Sequence, residues 1–177
     1  MWPFLLFACV PRAELVTARA PTPVELVVVT QPAGSRAPTD APASVYSAIE
    51  AVLSARLLTP TRVDSAVFSE SFSTRRSTAQ RLSWLAARPG DTVLVLVETE
   101  VEYYSEMNGR YRWTVSVVAS VLPPDRPLEA VEASFEIPVF LSFYHEREDK
   151  ALEAAVPVLS RRLGELVDTW VAGQTGG

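Results

Sequence analysis

From Tyr111 to Val121 the chain alternates almost without fault. Tyr111, Trp113, Val115, Val117, Ala119 and Val121 fall on one side, and Arg112, Thr114, Ser116, Val118 and Ser120 on the other. A period of two sustained over this length is the mark of a strand with one buried face. Leu128–Phe143 repeats it, with Val131, Ala133, Phe135, Ile137, Val139, Leu141 and Phe143 in phase. Ahead of both, Val97, Thr99, Val101 and Tyr103 oppose Glu98, Glu100 and Glu102. Thr92–Phe143 therefore reads as three long antiparallel strands, and the rest of the chain as the cover for one face of them.

The turn Met107-Asn108-Gly109 has to join the first two strands without flipping a face. A two-residue Asn-Gly turn would set Tyr104 opposite Trp113 and Glu102 opposite Val115, placing charge beside core, so a three-residue loop is expected. A three-residue loop sets Glu106 opposite Arg110 instead, so that Tyr103 meets Trp113 and Val101 meets Val115. Gly109 then takes the left-handed conformation that glycine adopts at no steric cost. The second turn is Pro123-Pro124-Asp125-Arg126-Pro127. Pro138, which cannot donate to a ladder, is expected at an edge or a bulge.

Ahead of the meander, Val10–Pro23 carries prolines and no apolar period, and reads as a linker. Val24–Thr30 is a strand whose near-continuous apolar run points to a central position. Gln31–Pro42 reads as an exposed loop. Ser44 is placed to cap a helix carrying Val45, Ile49, Val52, Leu53 and Leu57 on one stripe. Pro60 ends that helix, and Arg62–Phe68 reads as a second strand, parallel to the first. Ser77 or Thr78 opens another helix to Ala87, with Ala79, Leu82, Leu85 and Ala86 inward. After a charged hinge, Tyr144–Lys150, the longest helix runs to about Val171, with Pro157 expected to kink it or mark its start. Ala172–Gly177 reads as a tail. The expected fold is a two-layer α/β sandwich of order β-α-β-α-β-β-β-α, with one domain over 24–171 and three helices on one face of a mixed sheet.

Composition narrows the function classes. At 177 residues, with 48% hydrophobic and 21% charged content, the chain fits one domain with a full core. A net charge of −5 gives no electrostatic reason to expect a nucleic-acid partner. A single cysteine, Cys9, excludes an intrachain disulfide, and with a single histidine, His145, it leaves no Cys/His zinc set. No phosphate-binding glycine loop or nucleophile–histidine set is visible, so no catalytic residue, metal or cofactor is expected.

Four features remain as candidates. Glu98, Glu100 and Glu102 line one strand face, which suits acid–base work but is explained as well by a cross-strand charge ladder. Arg75, Arg76, Arg81 and Arg88 form a basic patch at the second helix, suited to phosphate, lipid A or a polyanion, or simply a solvated face. Tyr103, Tyr104, Tyr111 and Trp113 suggest either a stacking platform or core. The register also brings Leu94, Leu96, Val118 and Leu122 together on the polar sheet face. That cluster reads as a partner patch rimmed by Glu98 and Glu132, or as a site covered by the linker or the Gln31–Pro42 loop.

Met1–Cys9 is a short apolar run, and Leu6-Phe7-Ala8-Cys9 resembles the lipobox of bacterial lipoproteins, a signal segment cleaved before the cysteine that is then acylated. From Cys9, Val10–Pro23 spans up to about 40 Å at ~3.1 Å per residue. The order of elements resembles the small sandwich of Gram-negative envelope lipoproteins. These include the lipopolysaccharide-assembly lipoprotein LptE, the N-terminal domain of TolB, and the curli-secretion and penicillin-binding-protein-activator lipoproteins. The residues that carry the likeness to LptE are Asn108-Gly109-Arg110, Tyr111–Leu122, the Pro-Pro-Asp-Arg-Pro turn, Phe135–Tyr144 and the final helix. Thr78–Ala87 is more similar to the TolB and activator group. The resemblance implies a non-catalytic accessory subunit, anchored through Cys9 to the periplasmic face of the outer membrane. Its implied partner is an envelope protein complex, such as one built on an outer-membrane β-barrel. The alternative is a soluble periplasmic domain that binds a small ligand or a peptidoglycan or polyanion fragment.

Overall fold

A computed structural model describes residues 20–32, 39–64, 77, 79–80, 82–83, 92–124, 129–142 and 148–175. Its elements are β1 (Thr22–Pro32), β2 (Thr39–Asp40), α1 (Ala43–Ser54), β3 (Leu58–Arg62), β4 (Val93–Met107), β5 (Arg110–Leu122), β6 (Val131–Leu141) and α2 (Glu148–Thr175). They form a mixed six-stranded sheet with two long helices packed on it, an α+β two-layer sandwich. The strand order is β2-β1-β4-β5-β6, with β3 also pairing β1. β1 runs parallel to β3 on one side and to β4 on the other, which is the central position its apolar run implied.

The main core lies between the sheet and the helices. Val24, Leu26 and Val28 of β1, Val95, Val97 and Val101 of β4, and Val115, Val117, Ala119 and Val121 of β5 point into it. α1 meets them with Val45, Ile49 and Leu53, and α2 with Leu152, Ala155, Leu159, Leu163, Val167 and Trp170. Each set recurs at three- and four-residue steps, the stripe that a helix must bury.

The hairpin keeps the expected faces by a different device. Tyr103 lies opposite Trp113, Val101 opposite Val115 and Glu102 opposite Thr114, but the turn has two residues and Met107 faces Arg110. Glu106 lies opposite Tyr111, not Arg110. Asn108 and Gly109 both have positive φ, 54° and 74°, as a type I′ turn requires. The extra residue needed to hold the faces is a bulge between Tyr103 and Ser105. Further along, Glu98 sits opposite Val118 and Leu94 opposite Leu122, as the faces demanded.

Several boundaries differ from expectation for local reasons. α1 begins at Ala43 after Pro42, and Ser44 does not cap it; its hydroxyl donates to Glu153 Oε1 at 3.2 Å. The helix ends at Ser54, so Leu57, with φ of 59°, stands exposed outside the stripe. The strand parallel to β1 on that side is Leu58–Arg62, with Pro60 inside it, where Arg62–Phe68 was expected; residues 65–68 lie outside the described residues. Among the described residues β3 pairs only β1, and a strand paired on one side tolerates a residue that cannot donate. Pro138 is accommodated on β6, the outermost strand of the path, for the same reason. Within the expected 31–42 loop, Thr39–Asp40 returns to pair with Val29–Thr30. α2 runs unbroken through Pro157 to Thr175, taking in most of the expected tail.

Candidate functional site

The three helices were expected on one face, yet Leu82, from the helical segment after Ser77, packs on the other. Ala79–Gln80 and Leu82–Ser83 are helical. Ser77 Oγ accepts from the Gln80 amide at 3.3 Å while Gln80 Oε1 accepts from the Ser77 amide at 2.9 Å, a capping box. Leu82 from this segment, with Val63 and Ala130, packs on a second small core made by Val27, Val29, Leu94, Leu96 and Leu122. Leu94 is 5% exposed, Leu96 0% and Leu122 3%. The expected partner patch is therefore interior, and its cover includes Leu82, from a helix expected on the opposite side. Val118, its fourth member, is half-buried beside it.

Next to this second core the same face opens into a cleft of about 380 Å³. Gln31 from β1, Glu98 and Glu100 from β4, Ser116 and Val118 from β5, and Ser134 and Glu136 from β6 line it. These residues come together because period-two alternation puts every second residue of each strand on one face. The register pairs Gln31 with Glu100, Glu100 with Ser116, and Ser116 with Glu136. Two of the three expected carboxylates thus share a concave surface with a third, Glu136, that sequence reasoning missed. Glu102 lies outside it, opposite Thr114. Once the strand register is known, Glu136 follows from parity alone. The cleft is acidic and hydroxyl-rich, suited to a cationic or hydrogen-bonding ligand rather than a polyanion. Among the described residues no group of three His, Cys, Asp or Glu converges as a metal site.

The aromatic residues near the turn divide. Trp113 packs on the main core and meets Tyr103 edge-on, ring centroids 5.4 Å apart. Tyr103 and Tyr104 are themselves exposed, Tyr104 at 65%, as are Met107 and Phe140. Core is the correct reading for Trp113 and the wrong one for Tyr103. The bulge turns Tyr104 toward Arg112, whose guanidinium stands 4.5 Å from the ring centroid. The meander tip thus carries the exposed Tyr103, Tyr104, Met107 and Phe140.

Cys9, Arg75, Arg76, Arg81, Arg88 and His145 lie outside the described residues. Among the described residues no helix is long and apolar enough to cross a membrane.

No family model and no curated protein matches the sequence. Among solved structures, the fold is similar to rare lipoprotein B from Shewanella oneidensis, with 10% identity, 85% of this chain and 96% of that chain covered, and a TM-score of 0.38. It is also similar to PelC from Paraburkholderia phytofirmans, solved as a dodecamer, with 15% identity, 80% and 88% covered, and a TM-score of 0.40. A hypothetical protein from Chlamydia trachomatis shows 15% identity, 87% and 97% covered, and a TM-score of 0.43. At such identities the likeness concerns fold alone, and no residue's role is carried across from it.

Proposed function

We propose that this protein is a non-catalytic, lipid-anchored accessory subunit of the bacterial cell envelope, held to the periplasmic face of the outer membrane through Cys9. Its domain docks on a larger envelope assembly. The observation that carries the reading is Leu6-Phe7-Ala8-Cys9 standing ahead of a proline-bearing stretch and a domain whose first strand begins at Thr22. The direction of the sheet supports it. β1 enters level with Val93, at the end of β4 opposite the hairpin, so the turn lies about 45 Å away along the strand at ~3.3 Å per residue. A domain held by its N-terminus would present the exposed Tyr103, Tyr104, Met107 and Phe140 at its far pole. Lipopolysaccharide transport is one such envelope process, and the resemblance to LptE in the hairpin and final helix is what favours it.

Cys9→Ser tests the anchor. The variant should fold as the parent does, leave the membrane fraction for the soluble one, and lose the acyl mass on its N-terminal peptide. Unchanged fractionation would sink the reading. The acidic cleft favours a second reading, a binding domain for a small cationic ligand, which calorimetric titration with polyamines would detect.

A further inference from the structure

The docking reading leaves open how a partner takes hold, and the free side of β6 supplies an answer. Among the described residues β6 pairs only with β5. An unprotected strand side is a standing template for another chain. Pro138 lies opposite Thr114, and its missing donor costs no ladder bond only if its nitrogen faces outward. By the two-residue period, the backbones of Glu132, Ser134 and Glu136 then face outward as well. Proline thereby closes one end of the free side and leaves the other open.

The open end is cradled on both faces. On the helix side, a groove of about 380 Å³ runs between β6 and α2, walled by Val131, Ala133, Phe135 and Leu166 together with Arg162, Glu165 and Thr169 of α2. On the outer side, the acidic cleft reaches Ser134 and Glu136. A strand laid beside β6 would drop alternate side chains into a partly apolar groove and onto an acidic face. Glu132 and Glu136 are exposed there and Glu100 stands nearby, so the matching side chains are basic.

We infer that β6, between Val131 and Ile137, receives an extended segment of a protein partner by strand addition, the segment alternating Lys or Arg with small apolar residues. A second copy of this chain is the poorer occupant. Antiparallel β6 against β6 would bring Glu132 and Glu136 against their own kind, which destabilises a cross-strand pair. The inference rests on the docking reading, yet its test does not involve Cys9, so the two fail separately.

The probe is a peptide of about ten residues alternating Lys with Val and Thr, added to the full-length protein, with a Glu-for-Lys peptide as control. Amide chemical shifts should move at Glu132, Ser134 and Glu136, and hydrogen exchange there should slow. Ser134→Pro, which removes an outward donor, should weaken binding about tenfold or more, and Glu132→Lys with Glu136→Lys should exchange the preference to the acidic peptide. Equal binding of both peptides, shifts that map elsewhere, or no binding at millimolar peptide would overturn the inference. So would a dimer in sedimentation that Ser134→Pro dissolves, since the occupant would then be a second copy.

Discussion

Gly164 lies buried in α2 where Arg56 crosses from the end of α1. A methyl group on it would come within 2.5 Å of Arg56 Nη2. That nitrogen donates to Asp168 Oδ2 at 2.9 Å while Nε donates to Oδ1 at 2.7 Å. The glycine thus makes room for a two-pronged tie between the helices. The hydrogen bond from Arg56 is the main reason the Asp168 carboxyl is held below its ordinary range; partial desolvation acts the other way. Glu50, bonded by Arg62, and Glu153, bonded by Lys150, are lowered in the same manner. A carboxyl with a lower pKa folded than unfolded contributes stability above the unfolded value and loses it as pH falls through the folded one. Stability should accordingly decline below about pH 4. Asp168 is mostly exposed, so this tie contributes at most about 1 kcal/mol. Gly164→Ala gains about as much in helix propensity. Its denaturation midpoint at pH 7 should stay near the parent's, while NMR titration shows the Asp168 pKa moving up toward the ordinary carboxylate value. A lowered midpoint with an unmoved Asp168 would mean the glycine serves something other than Arg56.

At the scale of elements, the hairpin shows that parity and its device are separate matters. The alternation around Glu102 and Trp113 requires one extra residue somewhere between them, and that requirement is legible in the sequence. Where the residue goes is not, because a longer loop and a bulge satisfy parity equally. Tyr104 is the extra residue, and every pair from Leu94–Leu122 to Tyr103–Trp113 lies on one side of it, with Met107–Arg110 on the other. Deleting Tyr104 should therefore leave both ladders intact and the melting temperature within a few degrees of the parent's. Deleting Glu100 instead should unfold the domain, since Val95 and Val97 would exchange faces with Leu96 and Glu98. A Tyr104 deletion as damaging as the Glu100 deletion would refute the bulge assignment. The strand at Leu58–Arg62 was hidden for a related reason. Pro60 reads as a helix stop, and only the sheet order shows that, among the described residues, β3 is paired on one side alone, which leaves a place where a proline fits.

For the molecule as a whole, the sheet is buried on both faces over part of its area. β1 announces this, since Val24, Leu26 and Val28 enter the main core while Val27 and Val29 enter the second. The apolar stripe of the Ser77 segment identifies a helix but not the sheet face it covers, because either face of β1 would accept it. The cluster of Leu94, Leu96 and Leu122 acquires its meaning from that choice: exposed it would be a docking patch, and beneath Leu82 and Val63 it is core. Leu96 is wholly buried, so Leu96→Ala should cost about 2–5 kcal/mol from lost transfer energy and the cavity left behind. Leu94→Ser with Leu96→Ser should lower the melting temperature by ten degrees or more, since about 1 kcal/mol shifts a domain of this size by a few degrees. Leu57→Ser, on a side chain half exposed, should change little. Ser77→Ala links the cluster to its lid. Losing one arm of the capping box costs about 1 kcal/mol locally, so hydrogen exchange at the Leu94 and Leu96 amides should quicken while the Val115 and Val117 amides stay protected. If the double serine variant keeps the parent's melting temperature, the second core carries no stability, and the face beneath Leu82 is a surface after all.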